Sequence, residues 1–189
     1  MSFPRLTVPL GLAIAAALQI AVLGWMVVDR TRLIKTGQDV VLPIRPVDPR
    51  DLFRGQYVRL GYDISSVPVK LLEGPRPQRN APFYVTLEQG DDGTWRPIRI
   101  SVAKPHVTPP KQIVLKARPW TAFPQGDTGS VNVRYGIESY FVPEGEGPRL
   151  EALARDKKLA ILIAVDGSGA AAIKGILIDG KLQYTEQLL

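Results

Sequence analysis

Apolar and polar residues follow two different patterns along this chain. From Val8 to Val28 the sequence carries no charge, and Gln19 is the one strongly polar residue in it. Beyond residue 38 the apolar residues occur in short runs that alternate with polar ones or end at glycine and proline. A helix needs roughly 20 apolar residues to cross a bilayer core, so the first pattern predicts a transmembrane helix. The second pattern is typical of short β-strands.

The apolar run is interpreted as an uncleaved anchor, not as a signal peptide that is removed. It is longer than the apolar core of a signal peptide, and it ends in GWMVVDR, which lacks the small residues of a cleavage site. The chain is therefore predicted to comprise a tail over 1–7, a transmembrane helix over 8–28, a stalk over 29–38 and a single β-rich domain over 39–189.

A charged turn opens the segment Pro46–Tyr62 (PVDPRDLFRGQYVRLGY), around which we expect the domain to be organised. Asp48 is suited to cap one turn of helix, and Asp51 lies three residues after it. Gly55 can supply the left-handed residue that ends the turn. These assignments give the charges of the turn a structural role.

The same segment then predicts a half-buried strand. Successive side chains of a strand point to opposite faces, so Val58, Leu60 and Tyr62 share the apolar face and Tyr57 and Arg59 share the other. Tyr57 lies on the charged face under the turn. If this segment binds a ligand, we expect that face to contact it.

The rest of the chain predicts a mostly β (α+β) domain, a compact barrel or sandwich of short antiparallel strands with one helix near 148–158. The clearest hairpin joins Phe83–Glu88 to Thr94–Ala103 through a turn rich in Asp and Gly. The proline-rich segment Ser66–Pro82 predicts a loop. Further strands are predicted at Asp39–Ile44, Lys111–Ala117, Ser130–Tyr135, Leu159–Val165 and Ala170–Ile178.

The amino-acid composition excludes several kinds of catalytic and metal-binding site. The chain has no cysteine, which excludes disulfides, thiolate catalysis and cysteine metal ligands. Its one histidine, His106, lies between prolines and is interpreted as a loop residue. The net charge of +6 comes from scattered basic residues. This pattern suits a surface beside anionic lipid headgroups, and no nucleic-acid motif accompanies it. No cofactor and no metal site is predicted, because the Asp91–Asp92 turn needs no ion.

Two alternatives to a plain binding protein stay open. One is an envelope hydrolase that uses a serine–lysine dyad or a pair of carboxylates. The residues considered are Ser65 or Ser66 with Lys70, Asp48 with Asp51, and Glu144 with Glu146. The other is a glycan- or lipid-binding module that uses exposed aromatic side chains. The aromatic residues considered for such a groove are Tyr57, Tyr62, Trp95 and Trp120.

The letters RGQYVRLGY resemble the motif that names the GDYXXLXY family. Gly55, Tyr57, Leu60 and Tyr62 match that motif, and Gln56 stands where the family has Asp. A later stretch, YGIESYFVPEGEG, resembles the second block that the family shares. Together with the N-terminal helix, the resemblance covers essentially the whole chain.

The resemblance implies a bacterial membrane-anchored protein whose domain lies outside the inner membrane, often encoded beside polytopic membrane proteins. It implies no activity, and Gln56 argues against a role that needs a carboxylate there. It also decides the orientation. A count of Arg5 against Arg30, Arg32 and Lys35 favours a cytoplasmic domain, whereas the signal-anchor layout and the family favour the periplasm.

Residues and resemblance together predict a single-pass accessory or binding protein of the bacterial inner membrane that acts with a polytopic partner. We expect no enzyme activity and no nucleic-acid partner, and no small-molecule ligand is named. The candidate binding residues are Asp48, Arg50, Asp51, Arg54, Gly55, Tyr57, Leu60, Tyr62, Tyr140 and Glu144.

Overall fold

The computed structural model consists of one long helix, α1, followed by a domain built mainly of strands. It describes residues 8–45, 57–78, 80–107, 110–141 and 146–185. The elements are α1 (Val8–Thr36), β1 (Gln38–Arg45), β2 (Tyr57–Arg59), β3 (Gly61–Tyr62), β4 (Ser66–Pro68), β5 (Leu72–Glu73), β6 (Phe83–Gln89), β7 (Trp95–Ser101), β8 (Gln112–Pro119), β9 (Ser130–Arg134), β10 (Ser139–Phe141), α2 (Gly147–Arg155), β11 (Leu159–Val165), β12 (Ala171–Ile178) and β13 (Lys181–Thr185).

Two sheets enclose the core of the domain. The first has five strands in the order β13-β12-β11-β1-β3, and the second has six in the order β4-β9-β8-β6-β7-β5. Strands β2 and β10 form a separate two-stranded ribbon. Buried residues of both sheets belong to one apolar cluster. Within the described residues neither sheet closes on itself, so the fold is sandwich-like, as one of the two predicted architectures requires.

The alternation of the sequence decides which side chains enter this core. In β1, Val40, Leu42 and Ile44 are buried, while Asp39, Val41, Pro43 and Arg45 face outward. β11 is more deeply buried because it lies between β12 and β1 in the middle of its sheet. Each aliphatic side chain buried in this way contributes about 1.5–3 kcal/mol.

Most predicted elements are confirmed. The hairpin formed by β6 and β7 is present, with Tyr84 opposite Ser101 and Gln89 opposite Trp95. The helix expected near 148–158 is α2, and β1, β8, β9, β11 and β12 occupy the predicted strand positions. β13 has no counterpart among the predicted strands.

Two predictions of local structure are wrong. The segment Ser66–Pro82 is not a loop throughout, because β4 and β5 lie within it. Both are edge strands, where a proline such as Pro68 is tolerated. The strand predicted through Tyr62 is divided in two, because the chain changes partner at Leu60. β2 pairs with β10, and β3 pairs with β1.

Candidate functional site

The two family-like segments meet in space and form one unit, which we call the motif unit (residues 57–65 and 135–141). β2 runs antiparallel to β10, with Arg59 opposite Ser139 and Val58 opposite Tyr140. The backbone N–H of Leu60 then donates to the carbonyl of Glu138 at 2.9 Å. Segments far apart in the sequence are thus joined by backbone hydrogen bonds.

Two buried tyrosines connect the two segments of the motif unit through hydrogen bonds of their hydroxyl groups. The Tyr62 hydroxyl donates to the Ile137 carbonyl at 2.6 Å, and the Tyr135 hydroxyl donates to the Ile64 carbonyl at 2.7 Å. Burial, and to a lesser extent the negative charge of Glu138, raises the pKa of both phenols above its ordinary value. Both hydroxyls therefore stay protonated and keep donating at neutral pH.

Glu138 holds the turn that leads from β9 into the ribbon. Its Oε1 accepts from the N–H of Tyr135 at 2.5 Å, and its Oε2 accepts from the N–H of Gly136 at 3.0 Å. Gly136 has a φ of 85°, a left-handed conformation that favours glycine. The carboxylate thus satisfies the backbone donors of the turn.

The described candidate residues of the motif have structural roles. Leu60, Tyr62 and Tyr140 are 4 %, 3 % and 9 % exposed, so they belong to the core. The backbone of Tyr57 forms β2, but its side chain lies outside the described part of the structure. The remaining candidates also lie outside the described residues, namely Asp48, Arg50, Asp51, Arg54, Gly55 and Glu144.

Of the candidate catalytic residues that the structure describes, Ser66, Lys70 and Glu146 are exposed or hydrogen-bonded to other groups. Ser66 and Lys70 are both exposed, and no hydrogen bond joins them within the described residues. A lysine base is normally activated by desolvation, which an exposed side chain lacks. Glu146 accepts the Tyr184 hydroxyl at 2.6 Å and pairs with Arg149 at 3.1 Å. The Tyr184 hydrogen bond, followed by Arg149, lowers the pKa of Glu146 and keeps it ionised.

The two remaining polar features of the sequence are surface structures. Asp92 accepts from the N–H of Thr94 at 3.0 Å and pairs with Arg96 at 2.5 Å, so the turn it occupies is closed by its own residues. His106 is exposed in an irregular segment, as predicted. Among the described residues no group of three or more His, Asp or Glu side chains is placed to hold a metal ion.

A basic cleft beside the motif unit was not predicted from the sequence. It has a volume of about 770 Å³ and lies between the ends of β8 and β9 and the start of β12. We define the basic cleft by the residues that line it and carry its chemistry, which are Lys116, Arg118, Trp120, Arg134, Glu138 and Ala171.

The register of β8 and β9 concentrates positive charge in this cleft. Arg118 lies directly opposite Arg134, and Lys116 shares the outward face of β8 with Arg118. The Arg134 guanidinium stacks on the Trp120 ring, with Cζ 3.4 Å from the ring centroid. Arg59 approaches the same ring at 5.4 Å. Trp120 is 46 % exposed, whereas Trp95 is buried in the core and is not available to a ligand.

The turn between β11 and β12 forms the floor of the cleft. The Gly169 carbonyl accepts from the N–H of Lys116 at 2.7 Å, which binds this turn of the first sheet to β8 of the second. Gly169 has a φ of 87°, and a Cβ there would lie 3.1 Å from the carbonyl oxygen of Val114. The position of Ala171 beside the basic side chains depends on this close contact.

The C-terminal turns of α1 pack on the same side of the domain. The guanidinium of Arg30 donates to the Ala171 carbonyl at 3.3 Å. Leu33 and Ile34 are buried against Ala164 and Ala172 in a small apolar cluster of their own. The residues predicted to form a stalk, 29–38, therefore continue the helix to Thr36 and contact β11 and β12.

The remainder of α1 projects from the domain with its apolar side chains uncovered. Within the described chain, residues Pro9–Thr36 form one helix that is long and apolar enough to span a membrane. The large apolar side chains that the structure describes in this part of the helix are each at least 51 % exposed, and they are Leu10, Leu12, Ile14, Leu18, Ile20, Val22, Leu23, Trp25, Met26, Val27 and Val28.

A long exposed apolar helix followed by one β-sandwich is compatible with the class of single-pass membrane-anchored proteins. The chain belongs to the GDYXXLXY family, whose model, described as GDYXXLXY protein, matches residues 19–176. The match extends from the middle of α1 into β12, and it confirms the resemblance found in the motif. Comparisons with curated proteins and with solved structures gave no match.

Proposed function

We propose that this protein is a membrane-anchored binding protein of the bacterial envelope. In this proposal α1 crosses the inner membrane, the domain lies on the periplasmic side, and the protein acts as an accessory to a polytopic membrane protein. The single observation that carries the proposal is the packing of α1 on the domain.

That packing supports the proposal because it would fix the distance between the domain and a membrane crossed by α1. Contact with the domain begins at Arg30, two residues beyond the end of the apolar run at Val28. At 1.5 Å per residue, this corresponds to about 3 Å along the helix axis. The headgroup layer on each side of a bilayer is about 5–8 Å deep. A helix that spans the bilayer would therefore hold the domain directly against the headgroups.

A domain held against the lipid headgroups is suited to contact a neighbouring membrane protein. The motif unit offers a surface of constant shape, since its two segments are joined by backbone pairing and by the hydroxyls of Tyr62 and Tyr135. The exposed apolar side chains of α1 provide a second surface within the bilayer. The polytopic partner itself is an expectation that comes from the family resemblance.

Single-cysteine labelling tests the anchor and its orientation. The chain has no native cysteine, so a variant carrying Gln183→Cys on exposed β13 has one reactive thiol. We expect a membrane-impermeant maleimide to label it in intact spheroplasts, and to label a Ser2→Cys control only after lysis. The reverse pattern would place the domain in the cytoplasm, and release of the chain by a carbonate wash would contradict the anchor.

Site-specific photocrosslinking tests the partner. A photoreactive amino acid at Ser139, exposed in the ribbon, is compared with one at Gln89, exposed at the far end of β6. We expect the first to give an adduct with one polytopic membrane protein, identified by mass spectrometry, and the second to give none. Equal adducts from both positions, or no adduct from Ser139 in intact cells, would count against an accessory role.

A further inference from the structure

We propose that the basic cleft binds the phosphate group of an anionic lipid headgroup. This inference rests on the proposed membrane anchor, and it assigns a ligand to the three basic side chains of the cleft, Lys116, Arg118 and Arg134, which lie outside the motif unit. Three features carry it, namely the unneutralised charge of the cleft, the stacked tryptophan and the position of the cleft relative to α1.

The first feature is charge that the described structure does not neutralise. Arg118 and Arg134 are cross-strand neighbours, an arrangement in which like charges repel and destabilise the sheet. No carboxylate of the described residues pairs with either of them or with Lys116. Glu138, the acidic residue of the cleft, accepts two backbone N–H groups, and its one negative charge is outnumbered by the three basic side chains. A phosphate group between the arginines would remove the repulsion.

The second feature is the arrangement of donors. The Cζ of Arg134 lies 3.4 Å from the centroid of the Trp120 ring, and this contact limits the freedom of the guanidinium. A guanidinium held in this way presents paired N–H donors, which match the oxygens of a phosphate group. The Lys116 ammonium, on the same face of β8 as Arg118, adds a charge that is not restricted in direction.

The third feature is the position of the cleft. Its floor, Ala171, accepts the hydrogen bond from Arg30. Side chains of a helix lean toward its N-terminus, so the Arg30 guanidinium reaches toward the membrane and not away from it. The Ala171 side of the cleft therefore lies at the level of the headgroups if α1 spans the bilayer. Trp120 at its rim suits the same interface, where tryptophan is enriched.

Competition between two lipids in the full-length protein tests the proposal. The purified chain in a mild non-ionic detergent receives equal amounts of phosphatidylglycerol and phosphatidylcholine with identical acyl chains. Bound lipids are counted by native mass spectrometry. We expect Arg118→Gln with Arg134→Gln to lower the ratio of bound phosphatidylglycerol to phosphatidylcholine by roughly tenfold or more, because each arginine near anionic lipid contributes roughly a factor of five.

Matched variants separate the cleft from general charge. Arg155→Gln with Lys158→Gln removes the same charge from exposed positions at and after the end of α2, and we expect it to leave the ratio unchanged. Arg118→Lys with Arg134→Lys keeps the charge and should retain most of the preference. An equal loss in the α2 variant, or no loss in the cleft variant, overturns the proposal. Melting curves by circular dichroism establish that each variant is folded.

Inorganic phosphate distinguishes the source of the phosphate group. If it raises the melting temperature of lipid-free protein through Arg118 and Arg134 while the lipid ratio is the same in every variant, the ligand is a soluble phosphate and the lipid proposal is wrong. The carbonate wash of membranes is measured on the same variants. Release by carbonate contradicts the anchor, whereas retention with an unchanged lipid ratio contradicts the cleft alone.

Discussion

The motif unit and the basic cleft are neighbours in the fold but differ in how their polar groups are satisfied. In the motif unit the hydroxyls of Tyr62 and Tyr135 and the carboxylate of Glu138 are all hydrogen-bonded to backbone. In the cleft Arg118 and Arg134 face each other without a carboxylate partner among the described residues. The described residues of the named motif therefore belong to the scaffold, and our proposal assigns ligand binding to the surface beside it.

The largest expected effect lies in the motif unit. Leu60→Ala removes a side chain that is 4 % exposed at the point where the chain changes sheets. We expect it to lower the free energy of unfolding by about 2–5 kcal/mol, the usual cost of a large-to-small change in a core. The measurement is urea unfolding of the full chain in detergent, followed by tryptophan fluorescence, to which buried Trp95 contributes. The control is Leu182→Ala on exposed β13. If Leu60→Ala lowers the free energy of unfolding as little as Leu182→Ala does, a core role for Leu60 is contradicted.

High pH gives the next largest effect. The pKa of Tyr62 and of Tyr135 is raised on folding, chiefly by burial. A raised phenol pKa stabilises the fold at every pH below the ordinary value near 10, and this contribution is lost as the pH rises above that value. We expect each tyrosine to lower the free energy of unfolding by about 1.4 kcal/mol per pH unit above 10.

The tyrosine variants isolate this slope from other groups that titrate at high pH. Tyr62→Phe with Tyr135→Phe should remove about 2.8 kcal/mol of the total loss between pH 9 and 11, measured by urea unfolding over that range. A slope equal to that of the wild type in the double variant would mean that the hydroxyls are not buried as described.

The sequence predicts more of the structure of the motif unit than of the cleft, and the reason is physical. The burial of Leu60 and Tyr62 follows from local alternation, which one strand displays by itself. The division of that strand does not, because it depends on β10, far along the chain. In the cleft, the alternation within β8 likewise predicts that Lys116 and Arg118 share one face. The proximity of Arg118 to Arg134 depends on the register of β8 and β9. An irregular segment joins these two strands, and the sequence does not specify their register.

A smaller effect is expected where the turn between β11 and β12 of the first sheet contacts β8 of the second sheet. Gly169→Ala places a Cβ near the β8 backbone at a φ of 87°. A non-glycine residue in this conformation costs of order 1–3 kcal/mol, and we expect unfolding to become easier by that amount. Because Ala171 would move with the turn, the preference for anionic lipid should also weaken. Gly180→Ala, also at positive φ but with open space around it, is the control for strain without contact.

The smallest effect has the opposite sign. Arg118→Thr removes one of two like charges that face each other across β8 and β9 and places a residue that favours strands there. We expect the free energy of unfolding to rise by about 0.2–1 kcal/mol, the size of a cross-strand pair effect, while the preference for anionic lipid falls. Lys181→Thr on β13 removes a positive charge without relieving a cross-strand arginine pair, and should leave both quantities nearly unchanged. A gain in stability together with a loss of lipid preference would mean that the repulsion in the cleft is maintained for binding. A loss of stability would mean that Arg118 belongs to the scaffold, and the contrast between the two regions would disappear.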